Sequence, residues 1–331
     1  MVFQWCMIQT INQIVNLNVV QKIILCVMGL LLAHEVSSQC CSAGNPVGGT
    51  SNVGTAPKGT LRASSFFRHS FSDTYYTGSE KSELQGTKAN FNYLGFVGAY
   101  GIVPRLTVEA ELGIYLNKTR TSDIFPKENA WGLSNAVTSL KYAIWKDKVR
   151  EWEVTAGAGV RFPFTRELKY AEAGYPLSVD VQPSTGATGF VGQVFLYKGF
   201  LPKGWRLFML ERFETNAVND IGYQFGKANY LSMFISRNIN VHWTGILQFR
   251  YEWRSQDHWE DILMASTGGN VVYAAPQVNL KIAQKWNLSI LAEMPIIRNY
   301  NLAQLGTKYA LSISVMREFD LSKKDKSLIP N

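Results

Sequence analysis

Long apolar runs are missing from most of this chain. Beyond residue 33 no stretch approaches the roughly 18 to 20 consecutive apolar residues of a membrane-spanning helix, and mean hydropathy is −0.06. Helical spans are therefore excluded from that region. Cysteine is equally scarce: Cys6, Cys26, Cys40 and Cys41 are the only four in 331 residues, so no disulfide framework is available. There is no phosphate-cradling glycine motif and no zinc-spaced ligand set. The basic residues give a formal net charge of +8, yet they are scattered along the chain and form no stripe, which argues against a nucleic-acid partner.

What the chain does have is a strand-rich composition. Aromatic residues make up 13% and there are 27 glycines, with few long helical patterns. With 46% hydrophobic and 18% charged residues it is long enough to fold around a large interior.

Lys22 precedes the apolar run Ile23–Ala33, and Val36-Ser37-Ser38 supplies small residues of the kind cleaved by signal peptidase. The expected organisation is a signal peptide over 1–38, a flexible Gly/Ser/Asn-rich periplasmic arm over 39–59, a folded region over 60–321 and a polar tail over 322–331. Three readings stand for the adjacent Cys40 and Cys41: free or intermolecularly oxidised thiols, lipidation of Cys40, or a metal or redox role. The arm itself reads equally as a lumen plug or a partner-binding segment.

From residue 60 onward, alternating segments recur between turn residues. The candidate strands are 60–74, 86–103, 105–119, 129–146, 151–165, 187–200, 205–217, 227–239, 241–257, 269–282, 286–299 and 308–321. Short links, such as that around Pro104, alternate with long polar ones such as 166–186 and 255–268. That rhythm predicts an all-β fold, a transmembrane antiparallel β-barrel of about twelve strands with short periplasmic turns and longer extracellular loops.

Side-chain alternation tests the prediction. Trp243, Leu247, Phe249, Tyr251 and Trp253 share one face, while His242, Thr244, Gln248, Arg250, Glu252 and Arg254 share the other. Trp152 to Phe162 likewise oppose Glu153, Thr155 and Arg161, and Leu106 to Leu116 oppose Thr107, Glu109, Glu111 and Tyr115. Strands 187–200 and 205–217 alternate poorly. Trp243 and Trp286 are expected in the periplasmic aromatic girdle, and Trp253, Tyr115 and Trp131 in the outer one.

The lumen-lining candidates are Glu109, Glu111, Lys141, Glu153, Arg161, Arg250, Glu252, Arg254, Lys281 and Glu293. Two readings of them compete: a charged pathway that selects solutes, or oppositely charged residues that pair and hold the barrel rigid. Catalytic candidates are thin. His69 adjoins Ser70, His242 lies two residues before Thr244, and His258 sits among Asp257, Glu260 and Asp261 as a conceivable metal loop, but no third partner completes a triad. No catalytic residue, cofactor or metal is assigned, and the protein is read as no enzyme. Loop 166–186, with Tyr170, Tyr175, Pro176 and Pro183, either presents a binding surface or folds inward to constrict the bore.

The order Gln182-Pro183-Ser184-Thr185-Gly186, Thr267-Gly268-Gly269, Pro276, Glu293-Met294-Pro295, Asn301 to Gln304-Leu305 and a closing strand ending in Phe319 resembles the transporter-like barrel family named for the meta-cleavage pathway of phenol degradation. The resemblance covers roughly residues 60–320 and rests on loop and turn signatures. It implies a barrel in the outer membrane of a Gram-negative bacterium, in contact with its lipid, that passes small solutes of which hydrophobic and aromatic ones are the suggested class, while the net charge of +8 favours anionic solutes or lipopolysaccharide contacts. A non-conducting scaffold or binding barrel is the alternative, and a hydrolase a more distant one.

Overall fold

The computed structural model describes residues 54–200, 203–283 and 285–322. The expected signal peptide, most of the arm with Cys40 and Cys41, and nearly all of the tail lie outside the described residues. The long strands are β1 (Thr60–Gly78), β2 (Thr87–Val103), β3 (Leu106–Ser122), β4 (Glu128–Leu133), β5 (Asn135–Asp147), β6 (Trp152–Pro163), β7 (Gly189–Phe200), β8 (Trp205–Asn216), β9 (Ala228–Asn238), β10 (Trp243–Arg254), β11 (Gly269–Ala283) and β12 (Trp286–Asp320). Each pairs antiparallel with the next, except that β4 and β5 lie end to end along β3. Pairing of β12 with β1 closes the cylinder and leaves no edge in it, as a hydrocarbon environment requires.

The closing element is two crossings in one continuous ladder. β12 pairs antiparallel with β11 from Trp286 to Tyr300 and antiparallel with β1 from Tyr300 to Asp320. Since β1 and β11 run in opposite directions, an element antiparallel to both must turn back on itself near Tyr300. Its arms then lie side by side: Glu318 N–H donates to the Lys285 carbonyl at 3.1 Å, and Arg317 covers the Trp286 ring at 4.8 Å. The barrel is thus crossed twelve times, with both ends of the closed sheet and the short turns at one rim, the turn end.

Two sequence expectations are corrected in detail. The strand expected over 129–146 is broken at Ser134, whose N–H is taken by the Gly113 carbonyl, and the ladder to β3 shifts between Tyr115 and Lys118. The strand expected from Val241 starts at Trp243, because the Asn240 side chain accepts the N–H groups of His242 and Trp243 at 2.8 Å each and folds the preceding residues into a turn.

Alternation sorts apolar residues outward. On β10, Trp243, Gly245, Leu247, Phe249, Tyr251 and Trp253 face out, bracketed by indoles. The rise from Trp243 to Trp253, at about 3.4 Å per residue and a tilt of about 40°, is about 25 Å, the height of an outer-membrane hydrocarbon band. Cations stack on aromatic rings at the turn-end rim of this band, Arg237 over Trp205 at 5.1 Å and Lys198 over Trp152 at 5.1 Å. At the loop end of β1 to β4 the apolar face gives way to a hydrogen-bonded row across neighbouring strands: His69 to Asn92 (2.8 Å), Asn92 to Asn117 (2.5 Å) and Thr119 to Asn129 (2.7 Å). Leu247→Arg, which places a cation within the band, is expected to lower stability by about 2–4 kcal/mol. Equilibrium urea unfolding from lipid vesicles measures this, and an unchanged midpoint would mean that Leu247 does not face lipid.

Candidate functional site

The ten charged candidates all point into the barrel, on the face opposite the apolar band. Glu109, Glu111, Lys141, Arg250, Glu252 and Glu293 are buried, Glu153, Arg161 and Arg254 are half-buried, and Lys281 is exposed to the bore. The structure adds others that the sequence pattern missed, among them Arg68 on β1, and Arg212 and Glu214 on β8. Arg212 and Glu214 escaped because β8 carries Phe208 and Leu210 on its inner face and Glu211 on its outer face, so its alternation is blurred.

Apart from Glu153 and Lys281, these side chains form three ion-pair clusters in the waist of the barrel. Lys141 Nζ lies 2.7 Å from Glu109 Oε2. Arg212 reaches Glu111 at 2.8 Å and Glu214 at 2.7 Å, while Arg161 pairs with the other side of Glu214. Glu293 takes Arg68 at 2.6 Å and Arg250 at 2.6 Å, and Glu252 links Arg250 (3.6 Å) to Arg254 (2.7 Å). Each acid is therefore matched by a base, which is how charges out of bulk water are stabilised. Lys141 and Glu109 lie on the paired strands β3 and β5, whereas Arg212–Glu111, Arg161–Glu214, Arg68–Glu293 and Arg250–Glu293 join crossings that are not paired with each other, so these contacts tie separate parts of the wall together.

Aromatic rings fill the rest of the waist. Phe208 stacks on Phe234 at 4.7 Å, with Phe195 and Tyr230 beside them. On the other wall Tyr93 meets Tyr115 edge to face at 4.9 Å, next to Phe66. Gly95 and Gly113 leave room for this, since a Cβ on either would collide with the Phe66 ring or the Tyr93 phenol. Tyr115 is thus corrected: it lies in the lumen at 3% exposure and is no part of the outer girdle.

A cavity of about 720 Å³ opens on the turn-end side, lined by Arg62, Lys146, Glu153, Arg206, His242 and Lys281 among others. Residues 54–57 lie along its wall. Thr55 donates through N–H and hydroxyl to Glu153 Oε1 at 2.7 and 2.9 Å, and Ala56 N–H donates to the Thr107 hydroxyl at 2.8 Å. The described end of the arm is therefore inside the barrel. A second cavity of about 140 Å³ lies towards the loop end, between Glu111, Arg161, Arg212 and Glu214 below and Val179, Asp180 and Pro183 above.

Those last three belong to the 164–188 loop, which folds inward over the mouth. Glu128 is its anchor: the carboxylate accepts Ser178 N–H at 2.8 Å and the Ser178 hydroxyl at 2.7 Å, and pairs with Arg120 at 2.7 Å. Lys118 Nζ donates to the Gln182 carbonyl at 2.9 Å, and Leu177 and Val181 bury against Ala130. Glu128→Ala is expected to free the loop and raise cleavage by added protease between 164 and 188 several-fold, read by mass spectrometry of intact cells. Equal protection of variant and parent would overturn this anchoring.

The turn signatures noticed in the sequence are braces of this mouth. Gln182 Nε2 donates to the Leu177 carbonyl at 2.9 Å, and Ser184 and Thr185 donate to Asn135 Oδ1 at 3.0 and 3.1 Å. Asn301 Nδ2 holds the Thr267 carbonyl and Gln304 Nε2 the Gly268 carbonyl, both at 2.7 Å. The catalytic candidates do not assemble. His69 faces outward while Ser70 faces inward, and His242 Nδ1 lies 3.2 Å from the Lys281 backbone carbonyl. Asp257 beside His258 is buried and accepts hydrogen bonds from Tyr223 and Gly226. Among the described residues no group of three or more His, Cys, Asp or Glu is placed to hold a metal ion.

A closed antiparallel cylinder with a continuous apolar outer band, aromatic rims and a polar interior defines an outer-membrane β-barrel. The sequence profile of the family described as "MetA-pathway of phenol degradation" matches residues 72–294, and the chain belongs to that family. The fold is similar to the COG4313 outer membrane channel from Pseudomonas putida F1, with TM-score 0.66 and 12% identity over 81% of this chain and 98% of that one. More distant are the β-domain of the Bordetella autotransporter BrkA (TM-score 0.46, 12% identity, 78% of this chain and 100% of that one) and the NanC porin (TM-score 0.43, 13% identity, 78% and 98%). No curated protein matches by sequence.

Proposed function

We propose that this protein is an outer-membrane channel for small solutes, with the turn end in the periplasm and the braced loops outside. The observation that carries the reading is the arrangement of two chambers within one cylinder, on either side of a waist built from paired charges and aromatic rings. A barrel of twelve crossings has room for such a bore, between the filled interior of eight strands and the wide channel of sixteen. The ten charged candidates, joined by Arg68, Arg212 and Glu214, line that path, where ion pairs supply both rigidity and a series of polar steps for a solute. Phe66, Tyr93, Phe208 and Phe234 add apolar surface, so an amphipathic or aromatic solute finds partners for both of its parts. The reading is passage of solute, supported by the likeness of the fold to an outer membrane channel. Export through the 1–38 leader delivers the chain, and lipid and lipopolysaccharide surround the band.

A non-conducting scaffold is the second reading, favoured by the inward-folded 164–188 loop and by Thr55 in the turn-end chamber. Planar-bilayer conductance of the refolded mature protein separates the two. Discrete open steps, blocked by aromatic solutes, support the channel; a folded barrel that passes no current at any voltage supports the scaffold.

A further inference from the structure

The charges of the bore are unevenly matched. In the waist the acids Glu109, Glu111, Glu214, Glu252 and Glu293 all have basic partners. In the turn-end chamber Glu153 pairs with Lys146 at 2.8 Å and Glu318 with Arg62 at 2.7 Å. Two bases that line the same chamber, Arg206 on β8 and Lys281 on β11, have no acid within ion-pair distance among the described residues. Arg206 instead donates to the side-chain oxygen of Asn238, and Lys281 is exposed to the chamber beside His242. The wall between them is neutral and polar, with Ser236, Gln277 and Asn279. Glu151, whose carboxylate lies over Gly199 beside the Tyr197 hydroxyl, has no base within ion-pair distance among the described residues and offsets one of the two, so the chamber carries one net surplus positive charge, with hydrogen-bond donors set in walls of low dielectric constant.

A net positive charge in such an enclosure raises the local concentration of counter-ions. The screening length is about 10 Å at 0.1 M salt, so ions crossing a chamber of this size remain within reach of the field. At about 720 Å³ the chamber admits an organic anion of several rings. We infer that the turn-end chamber is a binding site for small organic anions, carboxylates or sulfonates, with Arg206 and Lys281 as its specificity-determining residues. The inference rests on the channel reading for its role in transport but not for its binding chemistry. Arg206 and Lys281 take part in none of the waist clusters, so the site is separable from the machinery that holds the barrel closed.

Two measurements test it. In a planar bilayer with a potassium chloride gradient, the reversal potential is expected to show anions several-fold more permeant than cations, and Arg206→Gln with Lys281→Gln to bring that ratio close to unity. Arg237→Gln, a cation on the lipid-facing side of β9, leaves it unchanged. Cation preference in the parent, or an unaltered ratio in the double variant, overturns the proposal. The second measurement needs no current: fluorescence anisotropy of a pyrene polysulfonate dye added to the detergent-refolded protein. Saturable binding that weakens several-fold in the double variant supports the site, while a cationic pyrene gives no signal. A barrel that passes no current yet binds the dye retains the site and loses the channel reading. A conducting barrel that does not bind the dye does the reverse.

Discussion

Glu293→Ala is expected to lower stability by about 3–5 kcal/mol, the cost of breaking a buried ion pair by removing one partner. The carboxylate stands at 2% exposure between Arg68 on β1 and Arg250 on β10, each at 2.6 Å. Without it two guanidinium groups face each other in the waist, and Glu252, already shared with Arg254, is the remaining acid near Arg250. Glu293→Gln removes the charge but keeps the shape and one acceptor, so its loss is expected to be smaller. Replacing the trio together, Arg68→Met, Arg250→Met and Glu293→Leu, leaves no unmatched charge and is expected to restore most of the stability. The measurement is the urea midpoint in lipid vesicles, with heat-modified gel mobility as a check that each variant reaches the closed barrel. If Glu293→Ala were as stable as the parent, water in the bore would be screening the two arginines and the cluster would not bind the walls together.

Much of this architecture is legible in the sequence because a membrane barrel has only one solvent-independent rule to obey, alternation against lipid. Segments such as Trp243 to Arg254 and Trp152 to Phe162 satisfy it with apolar residues at every second position, and their observed bounds lie within a few residues of the expected ones. The ten inward charges are legible for the same reason. β8 is the instructive exception. Its inner Phe208 and Leu210 fill the waist and its outer Glu211 is held by the Asn229 amide at 3.0 Å, so neither face is pure. A pattern that encodes only lipid contact cannot flag Arg212 on such a strand, although Arg212 is among the most buried side chains in the protein.

Other features depend on contacts between distant segments and leave no local trace. The inward fold of the 164–188 loop follows from Glu128 meeting Ser178, and the lumen position of the arm from Thr55 meeting Glu153. Tyr115 continues the inward series of Thr107, Glu109 and Glu111, and its place in the outer girdle failed because nearness to a strand end says nothing about which face a ring takes. The turn signatures QPSTG and NLAQL were visible as words, but their meaning, as braces of the mouth, appears only when Asn135, Thr267 and Gly268 are brought opposite them.

The largest functional effects are expected at the Arg212 hub. Removing Arg212 together with Glu214 deletes one base and one acid, leaving Arg161 and Glu111 to balance each other, and opens the floor of the loop-end chamber towards the turn-end chamber. Conductance of the double variant Arg212→Ala, Glu214→Ala is expected to rise several-fold with little change in ion preference. Arg212→Ala alone is different. It leaves Glu111 and Glu214 with Arg161 as the remaining base of their cluster, a surplus negative charge in the waist between the two chambers, where a fixed charge acts on every ion that passes. Its reversal potential is expected to move towards cations even though Arg206 and Lys281 remain in place. The pair of variants separates width from charge, since a purely steric waist would give both the same conductance and the same preference. A parent that is silent beside a conducting double variant would identify the Arg212 cluster itself as the closed gate. Identical currents in all three would mean that ions bypass the waist and that the path runs elsewhere in the barrel.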